Sequence, residues 1–185
     1  MDAAVDKRHM ILGAALSLFV EKGFDGTAVP EIAARAGVGT GTLYRHFTDK
    51  AGLVNALYRA WRGALDREAL APMPANLEPE ALFALYWKRV LDWYRAHPGP
   101  ARFLELQAHE PYLDEESRRL SRAHPAALRA FVRAGMEAGT IARASPEILA
   151  ALIRGALVGL LREGLTHEAS IAPSAARMWR VLAPV

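Results

Sequence analysis

The strongest constraint on this chain lies in residues 28–47, AVPEIAARAGVGTGTLYRHF, where two short runs of helical period meet at Ala36-Gly37-Val38. The first run brings Val29, Ile32 and Ala33 to one side, and the second carries Leu43 and Phe47 inward. Gly37 falls where a left-handed helix C-cap is expected, a conformation glycine adopts without steric cost. Val38 then turns back into the small core between the helices and fixes their angle. The segment reads as two short helices joined by a tight turn.

With Leu43 and Phe47 inward, Thr40, Thr42, Tyr44, Arg45 and His46 face outward. A compact, donor-rich helix on a rigid platform is the geometry that lays one helix in the major groove of DNA. Gly39 and Gly41 leave the start of this helix bare, so that its backbone can approach a phosphate closely. Each glycine costs roughly 1 kcal/mol relative to alanine in a helix, a cost that makes sense if close approach matters. A loose loop-to-helix junction is the plainer alternative.

Bulk charge does not carry this reading. The net charge is +3, yet residues 1–50 hold Lys7, Arg8, Lys22, Arg35, Arg45 and Lys50 against Asp2, Asp6, Glu21, Asp25, Glu31 and Asp49. That region is formally neutral, so any positive face must come from local arrangement. At 52% hydrophobic and 23% charged, the chain is globular, and its 185 residues fit one domain with a sizeable core or two small helical ones. The lack of cysteine excludes disulfides, a thiol nucleophile and thiolate metal sites, and fits a reducing cytoplasm. Residues 1–6 form no basic-then-apolar leader, and the most apolar run, Ile148 to Leu161, is short and interrupted by Arg154. A cytoplasmic protein is expected.

Nearly every segment has helical period, which predicts an all-α fold of about nine helices. Ile11, Ala14, Ala15, Leu18 and Phe19 form the stripe of a first helix ended by Gly23, and Thr27 suits the N-cap of the second, with Pro30 in its first turn. Thr48 or Asp49 caps a long fourth helix with Leu53, Leu57, Ala60, Trp61, Ala64 and Leu65 inward. A fifth helix, from about Pro79 to Ala96, is apolar nearly all round and belongs in the centre of a bundle. A sixth spans about Ala101 to Glu110, and the seventh, from near Asp114 to Ala138, should be kinked or split by Pro125. Ser145-Pro146 starts an eighth helix that ends at Gly164, and a ninth holds Met178, Trp179 and Leu182.

The stretch GFDGTAVPEIAARAGVGTGTLYRHFTDKAGLVNAL resembles the N-terminal DNA-binding domain of the tetracycline-repressor (TetR/AcrR) family of bacterial transcriptional regulators. The resemblance rests on the Gly-Phe-x-x-Thr lead-in, Ile32-Ala33, Ala36-Gly37-Val38, Gly41-Thr42-Leu43-Tyr44, His46-Phe47, and Lys50 followed by Leu53. FLELQAHEPYLDEESRRL and SPEILAALIRGALVGLLREG resemble one branch of the family's C-terminal domain. The resemblance implies a homodimer in which residues 1–50 bind DNA and residues 51–185 bind an effector and dimerise. It also implies that effector binding moves the fourth helix and changes the spacing of the two recognition helices. Where the family often has Ser, this chain has Gly39, so a hydroxyl that would cap the recognition helix is missing.

Within that frame the Tyr44 hydroxyl is expected on a phosphate oxygen. Thr40, Thr42 and Arg45 are candidates for base edges, with phosphate-only contact equally open for each Thr. Lys50 and Thr27, at helix N-termini, are expected to clamp phosphates on either side of the groove. Trp61, Phe83, Tyr86, Trp87, Phe103, Gln107 and Phe131 are candidates for a pocket around a small, apolar effector, with ordinary core the alternative for any one of them. Glu105 and His109, spaced i, i+4, are a helix-surface pair before they are metal ligands, since no third ligand is evident. Gly155 and Gly159, with Ile148, Leu152 and Trp179, suit close packing across a dimer interface, or packing inside one bundle. No cofactor, metal or membrane is expected as a partner. An enzyme finds little support, because the histidines are scattered and no nucleophile–base spacing or phosphate loop is present. A helical adaptor that meets protein in place of DNA is the other rival.

Overall fold

A computed structural model describes residues 3–184, with side chains from residue 7 onward. The described residues form nine α-helices and one 3-10 turn, with no strand among them. The helices are α1 (Ala3–Lys22), α2 (Val29–Arg35), α3 (Thr40–His46), α4 (Lys50–Ala69), α5 (Pro79–Ala96), α6 (Pro98–Leu106), α7 (Glu115–Glu137), α8 (Pro146–Arg162) and α9 (Glu168–Leu182). The 3-10 turn is Glu110–Tyr112. No described helix is long and apolar enough to cross a membrane.

The chain divides into two compact units, and the division does not follow a single cut after residue 50. One unit comprises Met1–Trp61 with Gly99–Arg118; the other comprises Arg62–Pro98 with Arg119–Val185. In the first, α1 packs on both α2 and α3. Its core gathers Ile11, Ala15, Leu18 and Phe19 from α1, Ile32 and Ala33 from α2, Leu43 from α3, and Leu53 and Leu57 from α4. Phe103 of α6 is fully buried here, its ring 6.3 Å from Phe19 and 4.1 Å from the His109 imidazole.

A polar clasp holds this unit together. Asn55, buried on the otherwise apolar face of α4, donates to Tyr112 O at 2.8 Å and accepts from the Asp114 amide at 2.9 Å. Arg59 one turn later pairs with Asp114 at 2.7 Å. Main-chain groups at the end of the 3-10 turn are thereby satisfied by a side chain.

In the second unit α5 is central, packed on α8 and α9. Phe83, Tyr86, Trp87, Val90, Leu91, Trp93 and Tyr94 are buried around its circumference, as its all-round apolarity predicts. The Trp87 indole donates to Ser174 Oγ of α9 at 2.9 Å, which satisfies the polar atom of a fully buried ring.

Several local expectations are corrected. Ala28, not Thr27, is the N-cap of α2, and no side chain caps it. At α4 the choice falls on Asp49, whose Oδ1 accepts from the Gly52 amide at 2.7 Å. Ala60 of α4 is exposed instead of inward. The sixth helix begins earlier than expected and ends earlier, because a proline in a first turn lacks only an N–H that has no helical partner. His109 therefore lies beyond α6, and the i, i+4 pair with Glu105 on one helix does not exist. α7 runs unbroken through Pro125. Ser145 caps α8 by accepting from the Ile148 amide at 3.3 Å, with Pro146 at the first position, as expected.

His109 Nε2 lies 2.5 Å from Phe103 O, and a carbonyl only accepts, so this nitrogen carries the hydrogen. Burial holds the ring below the usual histidine value of 6.5. The unfolded chain therefore binds this proton more readily than the folded one. The stabilisation is complete above about pH 6.5 and is lost as the pH falls through the lowered folded value. Thermal midpoints measured from about pH 7.5 down to about pH 5.5 should fall, and His109→Gln, which can still donate to Phe103 O, should flatten that slope.

Candidate nucleic-acid interface

The turn between α2 and α3 closes as its sequence predicts. Gly37 has φ +66°, its amide bonds to Ala34 O at 3.1 Å, and the Val38 amide reaches Ala33 O at 3.0 Å. These two bonds satisfy carbonyls that the end of α2 would otherwise leave open. Val38 is half-buried beside them. Leu43 is fully buried and Phe47 nearly so, which seats α3 on the rest of the unit. Gly39 is the N-cap of α3 with φ −71° and ψ 147°, and no side chain caps the helix.

The outward face of α3 is narrower than its sequence suggests. Tyr44 is 51% exposed and Arg45 is exposed, and among the described residues neither has a hydrogen-bond or ion-pair partner. Thr40 and Thr42 are half-buried at its flank. His46 is half-buried instead of outward, and its Nε2 is a buried atom with no hydrogen-bond partner. A helix face spans about three residues per turn, so Tyr44 and Arg45 together take the solvent side opposite Leu43 and Phe47.

The two expected phosphate clamps are committed inside the protein. Thr27 is only 2% exposed, and its hydroxyl donates to Gly23 O at 2.8 Å and contacts Leu18 O at 3.3 Å. The Lys50 ammonium donates to Phe24 O at 2.7 Å and Thr27 O at 2.9 Å, and sits 4.0 Å from the Phe24 ring centroid. Both side chains thus rivet the α1–α2 loop. Lys22 pairs with Glu31, and Arg35 pairs with Glu21 at 2.6 Å. The Arg35 guanidinium holds the Glu21 carboxyl below its usual value. Of the exposed basic residues in this region, Lys7, Arg8 and Arg45 make no ion pair among the described residues, and Arg8 lies 5.3 Å from the Phe47 ring centroid.

In the second unit a cavity of about 280 Å³ opens among α5, α7 and the segment that follows α4. Phe83, Tyr86 and Phe131, all expected around an effector, line it together with Leu70, Met73 and Leu128. Trp87 is core, and Trp61, Phe103 and Gln107 belong to the first unit and do not line this cavity. On α8, Ile148 is 60% and Leu152 48% exposed, and Gly155 and Gly159 are exposed, with nothing within 4 Å of a Cβ placed on either. Trp179 is half-buried, its ring 5.7 Å from Phe83.

A short α2, a left-handed glycine turn and an α3 whose outer face carries unpartnered Tyr and Arg define a helix-turn-helix DNA-binding protein. Comparison with known proteins agrees. Residues 11–57 match the family model of bacterial regulatory proteins of the tetR family. The HTH-type transcriptional repressor Rv3405c of Mycobacterium tuberculosis is 34% identical over 143 residues, 68% of this chain and 76% of the relative. The chain belongs to the tetR family of transcriptional regulators. Some other relatives match over a short stretch alone, one at 49% identity over 47 residues, a quarter (25%) of each chain. Among solved structures, a bacterial regulatory protein in the tetR family from Rhodococcus RHA1 superposes with TM-score 0.84, covering 100% of both chains at 18% identity. AibR in complex with isovaleryl coenzyme A and operator DNA superposes with TM-score 0.79, covering 96% of this chain and 98% of AibR at 18% identity.

Proposed function

We propose that this regulator binds a palindromic operator as a homodimer, represses transcription in the cytoplasm, and is released when a small molecule enters the second unit's cavity. The observation that carries the reading is the outer face of α3, where Tyr44 and Arg45 stand exposed with no partner in the described residues. Arg45 suits a guanine edge, Tyr44 a phosphate oxygen, and the half-buried Thr40 and Thr42 the edge of the groove. His46 Nε2 is the one buried side-chain atom of α3 without a hydrogen-bond partner, and a phosphate or bridging water at the protein surface would satisfy it. Thr27 and Lys50 act on DNA only through the loop they hold.

The dimer reading is supported by α8. Ile148, Leu152, Gly155 and Gly159 recur at spacings of 4, 3 and 4, so they share one exposed stripe. Two bare glycines on it allow a second copy to approach closely. The effector reading is supported by the apolar cavity and by AibR, which binds isovaleryl coenzyme A together with operator DNA.

The purified protein should select discrete fragments from genomic DNA. Each complex should hold two chains per binding site by mass, and the affinity should fall steeply as salt rises. Uniform recovery of all fragments, or one chain per site, would sink the proposal.

A further inference from the structure

The cavity of the second unit meets solvent at the segment between α4 and α5, residues 70–78. Leu70 and Met73 of this segment line the cavity and are 38% and 36% exposed, whereas Phe83, Tyr86 and Leu128, which line it from α5 and α7, are buried. The segment is therefore the mouth. Its backbone is stiff around Met73, because Pro72 and Pro74 flank that residue. Each proline fixes its own φ and confines the residue before it to extended conformations. Residues 71–74 thus form a short strap that moves as one piece.

Arg89 of α5 ties this strap to the helix behind it. Its Nη1 donates to Ala71 O at 2.7 Å, its Nη2 donates to Pro72 O at 3.3 Å, and Nη1 also lies 3.4 Å from Met73 Sδ. The guanidinium makes no ion pair among the described residues, so its donors face main-chain carbonyls of the strap. No charged side chain lines the cavity.

From this we propose that Met73 is the gate of the cavity and that Arg89 is the positioning residue that latches it: a ligand passes when the strap leaves α5, and the strap closes again over the bound molecule. The unbranched thioether of Met73 suits a gate, because it packs against varied shapes. The ligand is uncharged and largely apolar, since the walls offer a charge no partner and the guanidinium at the mouth is committed to the strap. The proposal rests on the effector reading for what the cavity serves, but it makes a separate claim about how a molecule enters.

Stopped-flow fluorescence of the full chain tests it with N-phenyl-1-naphthylamine, an uncharged fluorophore, and 1-anilinonaphthalene-8-sulfonate, the same skeleton with one negative charge. The uncharged probe should bind roughly tenfold more tightly. Ala127→Trp, which puts an indole into the cavity, should abolish that binding and so place the probe. Arg89→Met keeps an apolar stem but removes the strap's hydrogen bonds. It should raise the association and dissociation rates together by roughly tenfold to a hundredfold, with Kd changed less than about threefold, because the latch is the same in the empty and occupied states. Met73→Ala, at an exposed position, should speed both rates with Arg89 intact. A merely structural role for Arg89 would lower the thermal midpoint and the affinity without faster association. That result, unchanged rates in either variant, tighter binding of the sulfonate, binding that survives Ala127→Trp, or no binding of the uncharged probe each overturns the proposal. Release of selected DNA is read separately. Faster exchange without release would leave the gate standing and contradict the effector reading, whereas release with unchanged rates in the variants would do the reverse.

Discussion

Arg45→Ala is expected to lower operator affinity by about 1–3 kcal/mol in each half-site, and so by about 2–6 kcal/mol for a dimer, or roughly 30-fold to 20,000-fold. The size follows from what the side chain does in the free protein, which is nothing: Arg45 is exposed on α3 and makes no hydrogen bond or ion pair among the described residues. Its removal costs no folding contact, so the melting temperature should stay within about 1 °C, as for most surface substitutions. Arg35→Ala is the matched control. That guanidinium is spent on Glu21 at 2.6 Å, so its loss should shift operator affinity far less. Fluorescence anisotropy on a selected fragment separates the two variants. Equal losses would mean that α3 does not enter the groove.

Phe103→Ala should have the largest effect on stability, about 3–5 kcal/mol. The ring is fully buried, stacked near Phe19 of α1, and tilted against His109, whose Nε2 donates to the Phe103 carbonyl. A truncated side chain leaves a cavity bounded by two rings that cannot collapse without moving α1 or the segment after α6. For a chain of this size the thermal midpoint should fall by roughly 6–20 °C in differential scanning calorimetry. A drop of less than about 2 °C would show that Phe103 is not the core of the first unit.

Much of the architecture was legible because helical period and punctuation act locally. Gly37, the inward Leu43 and Phe47, the Ser145 cap and the all-round apolarity of α5 each behave as their neighbours in sequence imply. Other side chains are set by partners that no local pattern shows. Lys50 and Thr27 look like phosphate ligands because cations and hydroxyls near helix starts often are. Here the carbonyls of Phe24, Thr27, Gly23 and Leu18 claim them first, and those carbonyls come from a loop whose path no local pattern predicts. Arg45 and Tyr44 escape that fate because none of the described residues bonds to them on the outer face of α3.

The association of Gly99–Arg118 with the first unit was similarly hidden, although two signals pointed toward it. Asn55 is a polar residue among the buried positions of α4 and demanded a distant partner, which is Tyr112 O; His109 is a buried imidazole that demanded a partner of its own, which is Phe103 O. The hydrogen-bonded chain from Tyr86 through His124 to Asp66 joins residues 38 and 58 positions apart in sequence, so only the packing of three helices reveals it.

The central claim is that α3 of two copies reads DNA, and hydroxyl-radical footprinting of a selected fragment tests it most directly. The account predicts two protected segments related by a dyad, one for each copy, and their joint disappearance with Arg45→Ala. A single unsymmetrical protected segment, or a footprint that survives Arg45→Ala unchanged, would contradict it.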